Sequence, residues 1–262
     1  MVMMMALALA PAGPGFAAEK CLTGARETTG AEVIDSRTVA ADGKLFYLVG
    51  IETFGLLLPD PEGAKAAEVA LQRRLQALVA GGAVQIRVVD DRPDRYGRLP
   101  ALIGREGRAL VQETSAREGL AIAFAGGKRV PCFDAILAAE DEARRTHRGY
   151  WAGLSLPWAR PEALRPYVGR FAIFEGKVIS VGNRRARTYL NFGGLWSEDV
   201  TVEIDAKHRD ALGGEAALAG LAGRPVRIRG FVEERSGPVV VVTSPNQLEI
   251  LAEAAANRGS MP

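Results

Sequence analysis

Arg184, Arg185 and Arg187 run into Tyr189, Phe192 and Trp196, so three cations and three rings share a short stretch. Guanidinium groups neutralise phosphates and rings stack on bases, so the mixture suits single-stranded nucleic acid. It suits equally a solvated hairpin tip with core aromatics beyond it. Cys21 and Cys132 are the two cysteines. Joined, they would close a long loop, worth about 4–5 kcal/mol on the chain-entropy estimate; two unpaired thiols are the other reading. Asp90-Asp91 offers adjacent carboxylates, which serve a metal or simply sit solvated. His147 and His208 are the two histidines, and no spacing suggests zinc. Ser36 follows Asp35, but no nucleophilic triad pattern and no phosphate-cradling glycine loop is present.

The elements that must position these groups follow from periodicity. The chain has 262 residues, room for two small domains of roughly 100–200 residues each. Its net charge of +2 is nearly balanced, so a nucleic-acid partner has to be argued from local patches. Residues 1–18, MVMMMALALAPAGPGFAA, are apolar, uncharged and end in small residues. They are too short for a membrane span and read as a secretory signal cleaved after Ala17 or Ala18, although no Lys or Arg precedes the apolar run. A disordered N-terminus is the alternative. The expected location is periplasmic or secreted, where a disulfide persists. No other segment reads as membrane-spanning.

Apolar bursts at 32–40 and 45–51 flank Asp42-Gly43, the signature of a hairpin. A helix is expected over 64–80, ended by Gly81-Gly82, with strands at 84–89 and 99–103 and helices at 110–119 and 133–148. Pro157, Pro161 and Pro166 mark a stiff linker. Beyond it the pattern restarts: strands at 171–180, 187–192 and 200–204, a helix over 207–221, then strands at 226–233 and 239–243. Three strands, a helix and two strands is the order of an OB-fold. The expected organisation is a signal at 1–18, a first domain at 31–153, the linker at 154–168, an OB-like domain at 169–251 and a flexible tail at 252–262.

Four landmarks carry a resemblance. Val33-Ile34-Asp35-Ser36-Arg37-Thr38 matches a V-I-D-G-D-T motif, and 46–53, FYLVGIET, matches a strand written FRLLLVDTPE or VRLVGIDAPE. Asp94-Arg95-Tyr96-Gly97-Arg98, followed by 99–103, matches D-x-Y-G-R-x-L-A-x-[IV]. Residues 140–151 resemble a closing helix with a Gly-x-Trp end. Residues 32–152 thus resemble the staphylococcal nuclease (thermonuclease) family. Glu175-Gly176-Lys177-Val178 and 187–193 resemble an OB-like extension found on some bacterial members. The resemblance implies a mainly β, α+β protein: an OB barrel with three helices, then a second five-stranded OB-like barrel.

It also implies a chemistry. Family members hydrolyse phosphodiesters with a Ca²⁺ held by two aspartates, a glutamate that acts on water and two arginines on the phosphate. Carried over by position, the first metal aspartate is Arg37, the second is Glu52, the first phosphate arginine is Tyr47 and the glutamate is Gly55. The second phosphate arginine is kept as Arg98, with Asp35 and Thr53 also matching. Arginine cannot become a metal ligand, Tyr47 cannot form an ionic fork, and Gly55 has no side chain. The expectation is a degraded site with no cofactor, in which Arg37 stands in the cation's place and pairs with Glu52 or Asp35. The function expected is binding of single-stranded nucleic acid or an acidic protein partner. The alternatives are an active Ca²⁺-dependent nuclease rebuilt with Asp60 or Glu62, and a structural envelope module.

Overall fold

The computed structural model describes residues 20–127, 129–194 and 199–252. The expected signal, Trp196 and nearly all of the expected tail lie outside the described residues. Internal contacts divide the chain into two compact units. The first comprises residues up to Thr53 with Glu68–Ala123 and Val130–Gly149; the second comprises Phe54–Ala67, Phe124–Arg129 and the chain from Tyr150 on.

In the first unit β1 (Arg26–Thr28), β2 (Glu32–Val33), β3 (Thr38–Ala41), β4 (Lys44–Leu48) and β5 (Gly50–Thr53) lead to helix α1 (Pro61–Val79), whose later turns belong to this unit. There follow β6 (Val84–Val88), β7 (Arg98–Gly104), α2 (Val111–Arg117), β8 (Ala121–Phe124) and α3 (Phe133–Arg145). Six strands form one sheet in the order β1-β6-β7-β4-β3-β2, with β4 and β7 parallel and the other pairs antiparallel. The two edge strands, β1 and β2, are adjacent in sequence across the turn at Gly30. The sheet therefore begins and ends on one short stretch of chain, and it curls into a barrel. Asp42 and Gly43 both take positive φ, 50° and 70°, as the tight β3–β4 hairpin requires. Val39, Leu48, Val84, Leu102 and Ile103 fill the barrel, with Leu71 and Leu75 of α1 and Ile136 of α3 packed as core.

The second unit carries helix α4 (Pro161–Leu164), then β9 (Phe171–Lys177), β10 (Ser180–Asn183), β11 (Arg187–Asn191), β12 (Thr201–Asp205), α5 (Gly214–Ala219), β13 (Pro225–Glu234), β14 (Pro238–Val241) and β15 (Leu248–Ile250). Its sheet runs β10-β11-β12-β14-β13-β15, and β9 also pairs with β13. β9 and β10 are two halves of one bent strand, and each half pairs at an opposite end of the path. The barrel is closed by the same device as in the first unit, again around one parallel pair, β12 with β14. Both halves of the chain are thus OB-like barrels in a mixed α+β protein. Ala159 and Leu164, in the proline-marked stretch, are buried in the second core beside Phe174, Val202 and Ile228.

The helix expected over 207–221 is corrected by the structure. Two short 3-10 turns, Ala206–His208 and Asp210–Leu212, precede α5 because Gly213 takes a φ of 93°, which breaks a continuous α-helix just before Gly214. β1, β8 and β15 were not expected from periodicity. No described helix is long and apolar enough to cross a membrane.

Candidate functional site

The first barrel brings most of the family positions together. Asp35 opens the β2–β3 turn, and its Oδ1 accepts the Arg37 backbone N–H at 2.7 Å. The Arg37 side chain crosses to β5, where Nη1 donates to Glu52 Oε1 and lies 3.5 Å from the Ile51 carbonyl oxygen. Both partners are largely sheltered, with side chains 24 % and 21 % exposed. Burial pushes the Glu52 carboxyl above the usual carboxylate range; Arg37, the Thr53 N–H and Arg98 pull the other way without cancelling the effect.

Arg98 begins β7. Its Nε donates to Asp94 Oδ2 at 2.9 Å and its Nη1 to Thr38 Oγ1 at 2.9 Å. Asp94 is the hub of the preceding turn, and its Oδ1 accepts the N–H groups of Tyr96 and Arg98 at 2.9 and 3.0 Å. Desolvation works to raise the Asp94 carboxyl, but these hydrogen bonds and the Arg98 charge outweigh it and hold it below its ordinary range. The Arg98 guanidinium lies over two rings, 5.6 Å from the Tyr47 centroid and 5.1 Å from that of Tyr96. Arg95 covers Tyr96 at 4.7 Å and donates to its hydroxyl at 2.6 Å. Tyr96 is nevertheless 60 % exposed. Sequence reasoning used Asp94, Arg95 and Tyr96 only as motif letters; an aromatic between two arginines was the signal available.

The second unit holds the remaining positions. Gly55 lies in a 3-10 turn, Phe54–Leu57, pressed against α1. A Cβ there would stand 2.8 Å from the Ala64 carbonyl oxygen and 3.0 Å from the Ala64 Cα, so the backbone itself excludes a side chain. Asp60 is committed as the cap of α1, with Oδ2 accepting the Gly63 N–H at 2.7 Å. Glu62 is exposed in the first helical turn.

A Ca²⁺ ion wants several oxygen ligands. Here Arg37 replaces one carboxylate and donates to the second, while Asp35 is spent on its own turn. Among the described residues no group of three His, Cys, Asp or Glu side chains is gathered for a metal. The donor set does not fit the ion.

The patch expected on the second barrel is divided. Arg184 and Arg185 are exposed at the β10–β11 hairpin. The Arg187 guanidinium is neutralised, with Nη1 on Glu203 at 2.8 Å and Nε on Asp205 at 2.9 Å. Phe192 turns onto the core, edge to face with Phe174 at 6.1 Å. Arg187 as a phosphate contact and Phe192 as a stacking surface are therefore corrected: carboxylates on the neighbouring strand and an apolar core claim them first. Tyr189 stays half-exposed, and Trp196 lies outside the described residues. Of the other candidates, His147 is exposed, and Asp90 pairs with Arg92 at 2.9 Å. Cys21 and Cys132 form a disulfide with Cα atoms 5.8 Å apart.

Against known proteins, the family model of staphylococcal nuclease homologues matches residues 61–153. The match includes Asp94, Arg98, α2 and α3. Positions 37, 47, 52 and 55 precede it, and their assignment rests on the V-I-D and FYLVGIET motifs. No curated protein matches the chain.

Proposed function

We propose that this chain, which carries a staphylococcal-nuclease-like domain, is an exported module that binds single-stranded nucleic acid without hydrolysing it. The observation that carries the reading is the Arg37–Glu52 ion pair, which occupies both metal-ligand positions of the family site. A metal brought there would meet a fixed positive charge; at about 4 Å this repulsion is roughly 4 kcal/mol per unit charge at an effective dielectric near 20. With Tyr47 in an arginine's place and the Gly55 backbone closed, the machinery for activating water is absent from its family positions.

What survives favours binding. Tyr96 is exposed, and Arg95 and Arg98 lie over its ring, so a base that displaces the Arg95 side chain finds an aromatic face with positive charge beside it. Stacking on such a ring is worth about 1–3 kcal/mol per base and tolerates any sequence. Asp94 already engages Arg98, so the electrostatic contribution is modest and DNA and RNA are treated alike. The Cys21–Cys132 bond supports export, because such bonds persist in oxidising compartments.

The test is fluorescence anisotropy of labelled oligothymidylate and oligouridylate with the mature chain, alongside hydrolysis assays in Ca²⁺, Mg²⁺, Mn²⁺ and EDTA. Binding that weakens with log salt by about 0.7 per phosphate contacted, falls several-fold in Tyr96→Ala and occurs without cleavage is the expected result. Metal-dependent cleavage that disappears in Arg98→Ala overturns it.

A further inference from the structure

A groove of about 580 Å³ crosses the outer face of the second barrel. It is built by strand alternation. Val181, Leu190, Val202 and Val240 pack into or against the core, so their neighbours line the opposite face. Register places Gly182, Tyr189 and Glu203 in one row across β10, β11 and β12. Asn191, Thr201 and Val239 form the next row. Gly182 puts no side chain beside Tyr189; even a Cβ there would come no closer than 3.9 Å to the tyrosine Cβ. The ring's flank is left open along the strand. Among the described residues the Tyr189 hydroxyl has no hydrogen-bond partner.

The charges of this face balance. Among the described residues that line the groove, Arg184 and Arg235 stand against Asp199 and Glu203. The Glu203 Oε2 atom accepts from Arg187 at 2.8 Å and from Arg235 at 2.6 Å, and Arg235 also holds Glu233 at 2.8 Å. The resulting lattice of ion pairs stiffens the floor and removes its net field. A polyanion entering the groove would face as many lining carboxylates as guanidinium groups, of which Arg235 is already taken by Glu203 and Glu233. Charge complementarity to a phosphate chain is missing, whereas an uncharged ligand meets no such opposition.

We infer that this groove binds a neutral, polyhydroxylated chain, that is, an uncharged oligosaccharide. The components match that chemistry. A sugar ring presents an apolar C–H face to the Tyr189 ring, and its hydroxyls both donate and accept. The Asn191 amide, whose Nδ2 donates one hydrogen to Ser180 Oγ at 3.1 Å and keeps its oxygen for a donor, the Thr201 hydroxyl and the Arg184 guanidinium supply matching groups along the two rows. An open groove, in place of a closed pocket, accepts the interior of a chain. OB barrels use this face and its bordering loops for oligosaccharides as well as oligonucleotides, and here the charge balance decides between them. The inference is independent of the nucleic-acid reading of the first barrel, because it rests on different residues.

The experiment is saturation-transfer difference NMR on the full mature chain with neutral hexasaccharides of glucose, N-acetylglucosamine and mannose. Each is run with and without excess oligothymidylate. The expected result is transfer to at least one hexasaccharide that persists under oligothymidylate and falls at least five-fold in Tyr189→Ala. The milder Thr201→Val serves as the second variant, and circular dichroism checks the fold of both. No transfer to any hexasaccharide, transfer unaffected by both substitutions in a folded chain, or displacement by oligothymidylate overturns it.

Discussion

The Arg37 guanidinium donates to the Glu52 carboxylate inside the first barrel, with both side chains largely out of water. One strand-turn residue and one β5 residue thus neutralise each other at the two positions that the resemblance assigns to metal ligands. Arg37→Ala would leave Glu52 buried without its main counter-charge. The expected loss is about 1–3 kcal/mol at neutral pH by urea unfolding. Its pH dependence has a definite sign. The Glu52 carboxyl is already raised in the folded chain, so the charged form disfavours folding above that value. Removing Arg37 raises it further. The loss should therefore be full at pH 8 and fade as pH falls through the raised value toward the ordinary carboxylate range. A loss that grows on acidification would mean that Glu52 is not the partner that matters.

On the proposed reading, Gly55 makes nuclease chemistry hard to install. Arg37→Asp, Tyr47→Arg and Glu52→Asp together return three family residues, yet no metal-dependent cleavage of single-stranded DNA is expected from this triple variant. Gly55→Glu forces a Cβ against the Ala64 carbonyl oxygen, where contact would be 2.8 Å. Its expected cost is about 1–3 kcal/mol by overpacking. A Gly55→Ala variant as stable as the parent in a thermal melt would show that the turn yields easily.

Asp94 should give an acid limb to stability. Its folded carboxyl is held low by Arg98 and by two backbone N–H groups. The stabilisation is present above the ordinary carboxylate value and is lost as pH falls through the depressed one. Asp94→Asn is expected to cost about 1–2 kcal/mol at pH 7. Urea titrations of parent and variant should converge at low pH.

The Cys21–Cys132 bond spans a sequence separation of 111. Reduction, or Cys21→Ser with Cys132→Ser, is expected to remove roughly 2–5 kcal/mol. Leu22, next to Cys21, is buried, and its side chain leaves no room for a Cβ at Gly104, which would stand 2.7 Å away. Hydrogen exchange in β1 should therefore accelerate first when the bond is cut. Uniform acceleration across the first unit would assign the bond a purely global role.

Much of the architecture was legible because it is local. Val84–Val88 and Thr201–Asp205 stand where alternation or apolar runs placed them, and α1 stops where Gly81 and Gly82 stop it. Ala121–Phe124 escaped because a largely buried run of small and apolar residues carries no period. The break at Gly213 is carried by a Gly-Gly pair, yet the apolar periodicity on either side of it reads as one continuous helix.

The sequence by itself determined which residues stand at the positions the resemblance assigns to the chemistry: Arg37 and Glu52 for the metal ligands, Tyr47 for an arginine and Gly55 for the glutamate. It also supplied the order of strands and helices for two barrels. Tertiary structure alone decided which partners met. It seated Arg37 on Glu52, closed the Gly55 backbone on Ala64 and turned Phe192 into the core. It also spent Arg187 on Glu203 and Asp205. The reason is physical: secondary structure follows from a residue's near neighbours in sequence, whereas the state of a charge or a ring follows from whichever distant strand folding brings within a few ångströms.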